Sequence, residues 1–212
     1  MTPRRSRRRT PPAIAVLCSG RGTNLQAILD AARTGRLRAR VALVLADRAD
    51  AHALVRAQRA GVDARYVNPR EHPTRAQLER ALIRLCELHR VRLICLAGFM
   101  RILSPIFVRR YRGRILNIHP ALLPAFPGAH AVRETLRWGA KVTGVTVHLV
   151  DERVDHGPIL LQRAVAISPR DTEATLLAKL HAIEHEVYPQ AIRLMLAGKV
   201  RVRGRRAELR AN

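Results

Sequence analysis

From Ala13 onward the chain alternates short, continuously apolar runs with longer stretches in which apolar residues recur every three or four positions. AIAVLC (13–18), VALVLA (41–46) and VRLICLAG (91–98) are short for helices and show no polar alternation, so they read as strands covered on both faces. ARYVN (64–68) reads as a further, short strand. Between them, NLQAILDAARTG puts Leu25, Ile28 and Leu29 on one helical face and stops at Gly35. An Ala/Arg helix runs to Ala60, and residues 74–89 carry the stripe Leu78, Leu82, Leu85 and Cys86. This alternation predicts an α/β protein, a mostly parallel sheet flanked by helices. The second half changes character. KVTGVTVHLV (141–150) alternates, DERVDHGP turns and ILLQRAVAI (159–167) returns, which predicts an antiparallel hairpin closing one edge. A long helix follows over about 171–197.

Composition narrows this picture. With 212 residues, 48% of them hydrophobic, the chain supports one domain with a substantial core. Twelve Gly and twelve Pro exclude a collagen-like or low-complexity chain. No apolar run approaches the roughly 18 residues needed to cross a bilayer. The apolar run after MTPRRSRRRTPP is short and enters a Gly-rich turn, unlike a secretory signal, so a cytoplasmic protein without a membrane partner is expected. Cys18, Cys86 and Cys95 are far apart in apolar company, without metal-ligand spacing, and read as reduced core residues.

The formal net charge of +23 has two readings. Clustered cations bind nucleic acid by releasing counterions from phosphates. Against that, the basic residues are almost all Arg and spread over every segment, and aromatic stacking platforms are scarce at 3%. We therefore read a compositional bias that attracts small anions, and expect no nucleic-acid partner. The ends are denser: Arg4, Arg5, Arg7, Arg8 and Arg9 predict a disordered basic tail over 1–12, and Arg201 to Arg210 a solvated tail over 201–212, around a domain at 13–200.

Three segments carry chemistry. SGRGTN (19–24) joins a buried strand to a helix, where Gly20 and Gly22 allow a tight turn and free N–H groups face outward. It reads equally as an ordinary glycine turn with Thr23 as helix cap or as a site for a monophosphate. In NIHPALLPAFPG (117–128), Asn117 and His119 alternate with Ile118, so both point to one face at a strand end. An amide beside an imidazole suits an oxyanion on a carbonyl under attack. DERVDHGP (151–158) concentrates three acids; Asp155 is the candidate to approach His119, where it would raise the imidazole pKa, whereas Asp151 and Glu152 also fit a plain polar turn. No Ser, Cys or Lys stands out as a nucleophile, which suggests direct transfer of an acyl-type group between two bound molecules.

Together SGRGTNLQAIL, AGFMRILS, ILNIHPALLPAFPG, GVTVHLVDERVDHGPIL and EHEVYPQAI resemble the folate-dependent phosphoribosylglycinamide formyltransferases over about Ile14 to Gly198. The resemblance implies the Rossmann-like formyltransferase fold, and a role in purine biosynthesis and one-carbon metabolism. It implies 10-formyltetrahydrofolate as co-substrate, glycinamide ribonucleotide as acceptor, and no metal. Carried over by position, Gly22, Thr23 and Asn24 would hold the phosphate and Glu184 the rest of that substrate. Arg75, Met100, Arg101, Ile102 and Leu103 would line the folate pocket, with Asp151, Glu152 and Val154 in the turn over it. Asn117, His119 and Asp155 would be catalytic, His119 paired with Asp155. The oligomer would be a monomer or homodimer. Arg21 and His156 depart from the family pattern in the phosphate loop and the turn. The rivals are formyltetrahydrofolate deformylase, which has an added N-terminal domain, methionyl-tRNA formyltransferase, which has an added C-terminal one, and a basic nucleic-acid-binding module. Only about a dozen residues precede Ile14 and about 14 follow Gly198.

Overall fold

The computed structural model describes residues 10–210. Its elements run β1 (Ala13–Cys18), α1 (Thr23–Arg33), β2 (Arg40–Ala46), α2 (His52–Arg59), β3 (Asp63–Tyr66), α3 (Arg75–Leu88), β4 (Leu93–Leu96) and α4 (Pro105–Arg110). Then follow β5 (Ile115–His119), α5 (Ala131–Arg137), β6 (Val142–Leu149), β7 (Ile159–Ala166), α6 (Glu173–Leu196), β8 (Val200–Arg203) and β9 (Arg206–Leu209). The strands form one sheet in the order β3-β2-β1-β4-β5-β6-β7-β9-β8. β3 through β5 pair in parallel, and β6 is antiparallel to both β5 and β7. Among the described residues no helix is long and apolar enough to cross a membrane.

The uninterrupted apolar runs have the predicted cause. Alternate residues of β1 enter two different cores, one on each face of the sheet. Ile14, Val16 and Cys18 pack with Leu25 and Ile28 of α1 and with Leu176, Leu180 and Ile192 of α6. Ala15 and Leu17 pack with Leu78, Leu82 and Cys86 of α3 and with Phe107 of α4. Truncating such a side chain, Leu180→Ala for example, typically costs about 2–5 kcal/mol. The three cysteines are buried and unpaired, and burial pushes the Cys18 and Cys86 thiols up to about 12. Tyr188 is fully buried on α6, with its hydroxyl 2.8 Å from the Leu96 carbonyl and 3.0 Å from that of Leu116. This anchors α6 across the seam between β4 and β5, beside the strand ends that build the site.

The carboxyl end departs from expectation. Residues 201–210 are largely solvent-exposed as expected but are not a loose tail: β8 and β9 form a hairpin, and β9 joins β7 in parallel at Ile159 and Arg206. The run of arginines hid a period of two, in which Val200 and Ala207 turn onto the main core while arginines face outward. The sheet thus continues to Leu209. Arg4 to Arg9, read as a disordered tail, lie outside the described residues. Helices α4 and α5 were not foreseen either, being too short at 6 and 7 residues to show a period.

Candidate active site

β1 pairs with β2 on one side and β4 on the other, so the turns leaving β1 and β4 part company there. Such a switch point opens a crevice at the carboxyl ends of the strands. Two bonds stitch the parting turns: Ser19 N–H donates to the Gly98 carbonyl at 3.0 Å, and Met100 N–H to Ser19 Oγ at 2.9 Å. Gly22 holds a φ of 70°, and a Cβ there would come within 2.8 Å of Ala53 Cα, so this turn requires glycine. Gly22 itself takes the cap position of α1. Thr23 is the first helical residue and makes no capping bond, unlike the plain-turn reading.

The glycine turn is tied to the last helix. Asn24 Nδ2 donates to Glu184 Oε2 at 2.8 Å, and His181 Nδ1 lies 2.8 Å from the same oxygen. Arg21 Nη2 stands 3.3 Å from His181 Nε2. A guanidinium only donates, so Nε2 accepts and the Nδ1–H faces Glu184. Arg21 thereby meets the protein through a histidine. Asn24 Oδ1 is buried without a partner, an acceptor that a ligand donor would satisfy.

The second cluster starts from β5. Ile118 turns into the core while Asn117 and His119 share the opposite face, as their alternation predicts. Asp155 arrives from the turn between β6 and β7, held in the left-handed region at φ 49°. Its Oδ1 accepts from Asn117 Nδ2 at 3.3 Å, and its Oδ2 lies 3.3 Å from His119 Nδ1. Gly128 N–H donates to Oδ2 at 2.8 Å. His119 Nε2 stands 2.8 Å from the Phe126 carbonyl. The amide and the imidazole therefore converge on a carboxylate, an anion of the protein's own. His148, opposite Asn117 on β6, lies 3.2 Å from Asn117 Nδ2 and 3.5 Å from Asp155 Oδ1.

The electrostatics follow from this crowding. Burial pushes the Asp155 carboxyl up, but the His148 hydrogen bond, the Gly128 N–H and the nearby imidazoles outweigh it and hold it down at about 2. Burial dominates at His119 and lowers its pKa below the usual imidazole value, although Asp155 and the Phe126 carbonyl oppose that. The carboxylate raises His119 as expected, but the net shift is down, because a nearly buried imidazole loses more hydration than one contact at 3.3 Å restores.

Both clusters open into one cleft of about 460 Å³. Asn24 and Glu184, the trio Asn117, His119 and Asp155, and the residues Met100, Arg101, Ile102, Leu103, Asp151, Glu152 and Val154 all line it. Glu152 is held by Arg109 Nε at 2.8 Å, and Asp151 by His156 Nδ1 at 2.8 Å. Gly22 at the cap and Thr23 at the start of α1 precede Asn24 but do not line this cavity. Arg75 stands apart from it, lining a neighbouring depression of about 330 Å³. The sequence reading missed His148, His181 and Gly128. A residue three before Glu184 on a helix shares its face, so His181 was readable; His148 and Gly128 were not, because only strand pairing and chain reversal bring them in.

An open α/β sheet with an amide, an imidazole and a carboxylate at its switch point, in a cleft lined by both polar and apolar groups, defines an enzyme that moves a group between two bound molecules. Residues 13–192 match the family model described as formyl transferase, and the chain belongs to that family. It is similar to phosphoribosylglycinamide formyltransferase of Bacillus subtilis (strain 168), 41% identical over 182 residues, covering 86% of this chain and 93% of that protein. It is 45% identical over 190 residues to the trifunctional purine biosynthetic protein adenosine-3 of Drosophila pseudoobscura pseudoobscura, where it covers 89% of this chain but spans only 14% of that longer protein. Among solved structures, glycinamide ribonucleotide transformylase 1 from Symbiobacterium toebii superposes with a TM-score of 0.93 at 48% identity, covering 95% of both chains. A formyltetrahydrofolate deformylase from Pseudomonas syringae shares the fold at TM-score 0.86 and 25% identity, covering 95% of this chain and 66% of that one.

Proposed function

We propose that this chain transfers the formyl group of 10-formyltetrahydrofolate to the amine of 5-phosphoribosylglycinamide, in de novo purine (IMP) biosynthesis. The observation that carries this reading is the convergence of Asn117 and His119 on Asp155 in one cleft that is also lined by Asn24 and Glu184 and by the apolar side chains of Met100 and Ile102. The ribonucleotide lies at the Asn24–Glu184 end, with its phosphate at the N–H groups opening α1 and Glu184 accepting hydrogen bonds from its polar groups. The folate lies at the other end, where Met100 and Ile102 expose apolar side chains to a flat ring system.

The amine nitrogen attacks the formyl carbon, a C–N bond forms, and the carbonyl electrons move onto oxygen. Asn117 Nδ2–H and a His119 N–H meet that oxyanion, two donors already oriented toward negative charge. Asp155, ionised at neutral pH, takes the proton of the attacking amine. When the oxyanion collapses, the bond to N10 breaks and the leaving nitrogen takes the proton that Asp155 received from the amine, so the carboxylate is restored. Each oxyanion donor is worth about 10²–10³ in rate.

The deciding experiment mixes the purified chain with formyl-folate, with and without the ribonucleotide. Tetrahydrofolate released only in its presence supports transfer. Release in its absence identifies a hydrolase of the deformylase kind, and no release removes both.

A further inference from the structure

Formyl transfer makes no use of Glu79, yet this carboxylate is only 2% exposed, on α3 between Leu78 and Leu82. A buried carboxylate persists only where hydrogen bonds replace its hydration. Glu79 Oε1 accepts from Ser104 N–H at 2.6 Å and from Arg75 Nε at 3.2 Å, and Oε2 accepts from the Ser104 hydroxyl. Arg75 Nη2 in turn donates to the Ile102 carbonyl. Ser104 stands at the cap position of α4 but makes no side-chain cap for it, because its hydroxyl is turned to Glu79.

These ties end on one piece of chain. Met100 to Leu103 has no regular structure and forms the folate-side wall of the cleft. The same four residues also line the depression of about 330 Å³ on the α3 side. The wall therefore separates two open spaces, and Met100 and Ile102 are 68% and 63% exposed. Leu103 packs into the α3-side core, but Met100 and Ile102 do not, so hydrogen bonds carry much of the placement of the exposed part of the segment. The Met100 N–H on Ser19 Oγ secures one end, with Arg101 3.9 Å from Asp47; at the other end Glu79, directly through Ser104 and indirectly through Arg75, adds to the burial of Leu103.

We propose that Glu79 is a positioning residue for the co-substrate side of the cleft, setting the place of Met100 to Leu103 without touching the ligand. The inference rests on the proposed function for the ligand's identity alone. Charge matters here as well as shape, because a neutral amide at position 79 places N–H donors against Arg75 or the Ser104 donors.

The test uses the full chain with Glu79→Gln, and with Ser104→Ala as the milder variant that removes one tie and no core atom. Glu79→Gln should raise KM for formyl-folate about tenfold and Ser104→Ala about threefold, with kcat within about twofold and the ribonucleotide KM unchanged. Hydrogen exchange over 99–104 should quicken in both variants while that of α6 stays as in the parent. A folded Glu79→Gln protein with parental folate KM and parental exchange over 99–104 would overturn the proposal, as would a loss confined to kcat. Should Glu79→Gln not fold, Ser104→Ala decides by the same two readouts. Should the parent chain transfer no formyl group, the proposed function fails on its own, and the exchange measurement still decides whether Glu79 holds the wall.

Discussion

Asn24 Nδ2 donates to Glu184 Oε2 at 2.8 Å, a buried bond that joins the glycine turn after β1 to the middle of α6. Because Glu184 is 3% exposed and also faces His181 Nδ1 at 2.8 Å, removing it strands two donors in a site with little water. Leaving a buried polar group unpaired costs about 1–3 kcal/mol. Glu184→Ala should therefore raise the ribonucleotide KM at least tenfold, leave the formyl-folate KM near its parental value, and lower the melting temperature by a few degrees. Initial-rate kinetics in both substrates, with a thermal melt, check this; an unchanged ribonucleotide KM would detach Glu184 from that substrate.

Asp155 accepts from Asn117 and Gly128 and faces two imidazoles, so its negative charge organises the whole cluster. Asp155→Asn keeps the shape but loses the base, and turnover should fall by at least about 10². Circular dichroism should remain that of the parent. Retained turnover would take Asp155 out of the reaction.

His119→Ala removes one of two proposed oxyanion donors while leaving both ends of the cleft intact. The loss should appear in kcat, about 10²–10³, with each KM within a few-fold. A variant that keeps kcat but loses affinity would show His119 holding ground-state substrate instead.

The pKa directions at Asp155 and His119 set a sign for acid stability. Asp155 is held at about 2 in the fold, below its ordinary 3.8, so its stabilisation is present above 3.8 and is lost as pH falls toward 2. The size is on the order of 2 kcal/mol. His119 is lowered in the fold, so below 6.5 the unfolded chain binds its proton first, and stability again falls with falling pH. Melting temperature measured from pH 7 to pH 3 should decline, and less steeply in Asp155→Asn and His119→Ala than in the parent. Identical slopes in all three would contradict both assignments.

A Cβ on Gly157 would overlap the Leu149 carbonyl, so the chain can leave the Asp155 turn only through glycine. Gly157→Ala should displace the turn and carry Asp155 away from His119, cutting turnover sharply while the distant α1–α6 core stays folded. Activity with near-parental melting behaviour would show that the turn adapts without moving Asp155.

Periodicity was enough to read the strand–helix alternation and the closing hairpin, because β1, β2 and β4 are covered on both faces and α1 and α3 on one. It was blind to α4 and α5, which are shorter than two helical periods, and it took the β8–β9 hairpin for a tail because arginine dominates its composition. Within the site, the local pattern Asn117-Ile118-His119 was legible since a strand alternates its faces. The net direction of the His119 shift was not, because that depends on how much water the fold removes from the ring.

The sequence alone determined which side chains are available and which neighbours share a face, since those follow from local backbone geometry. Only the tertiary structure brought Asn24 to Glu184, turned Asp155 onto Asn117 and His119, added His148 to that cluster, and put Arg75 in the neighbouring depression rather than in the cleft. Each of these is a contact between residues distant in the chain, and its energy depends on burial and direction, which exist only once the sheet has assembled.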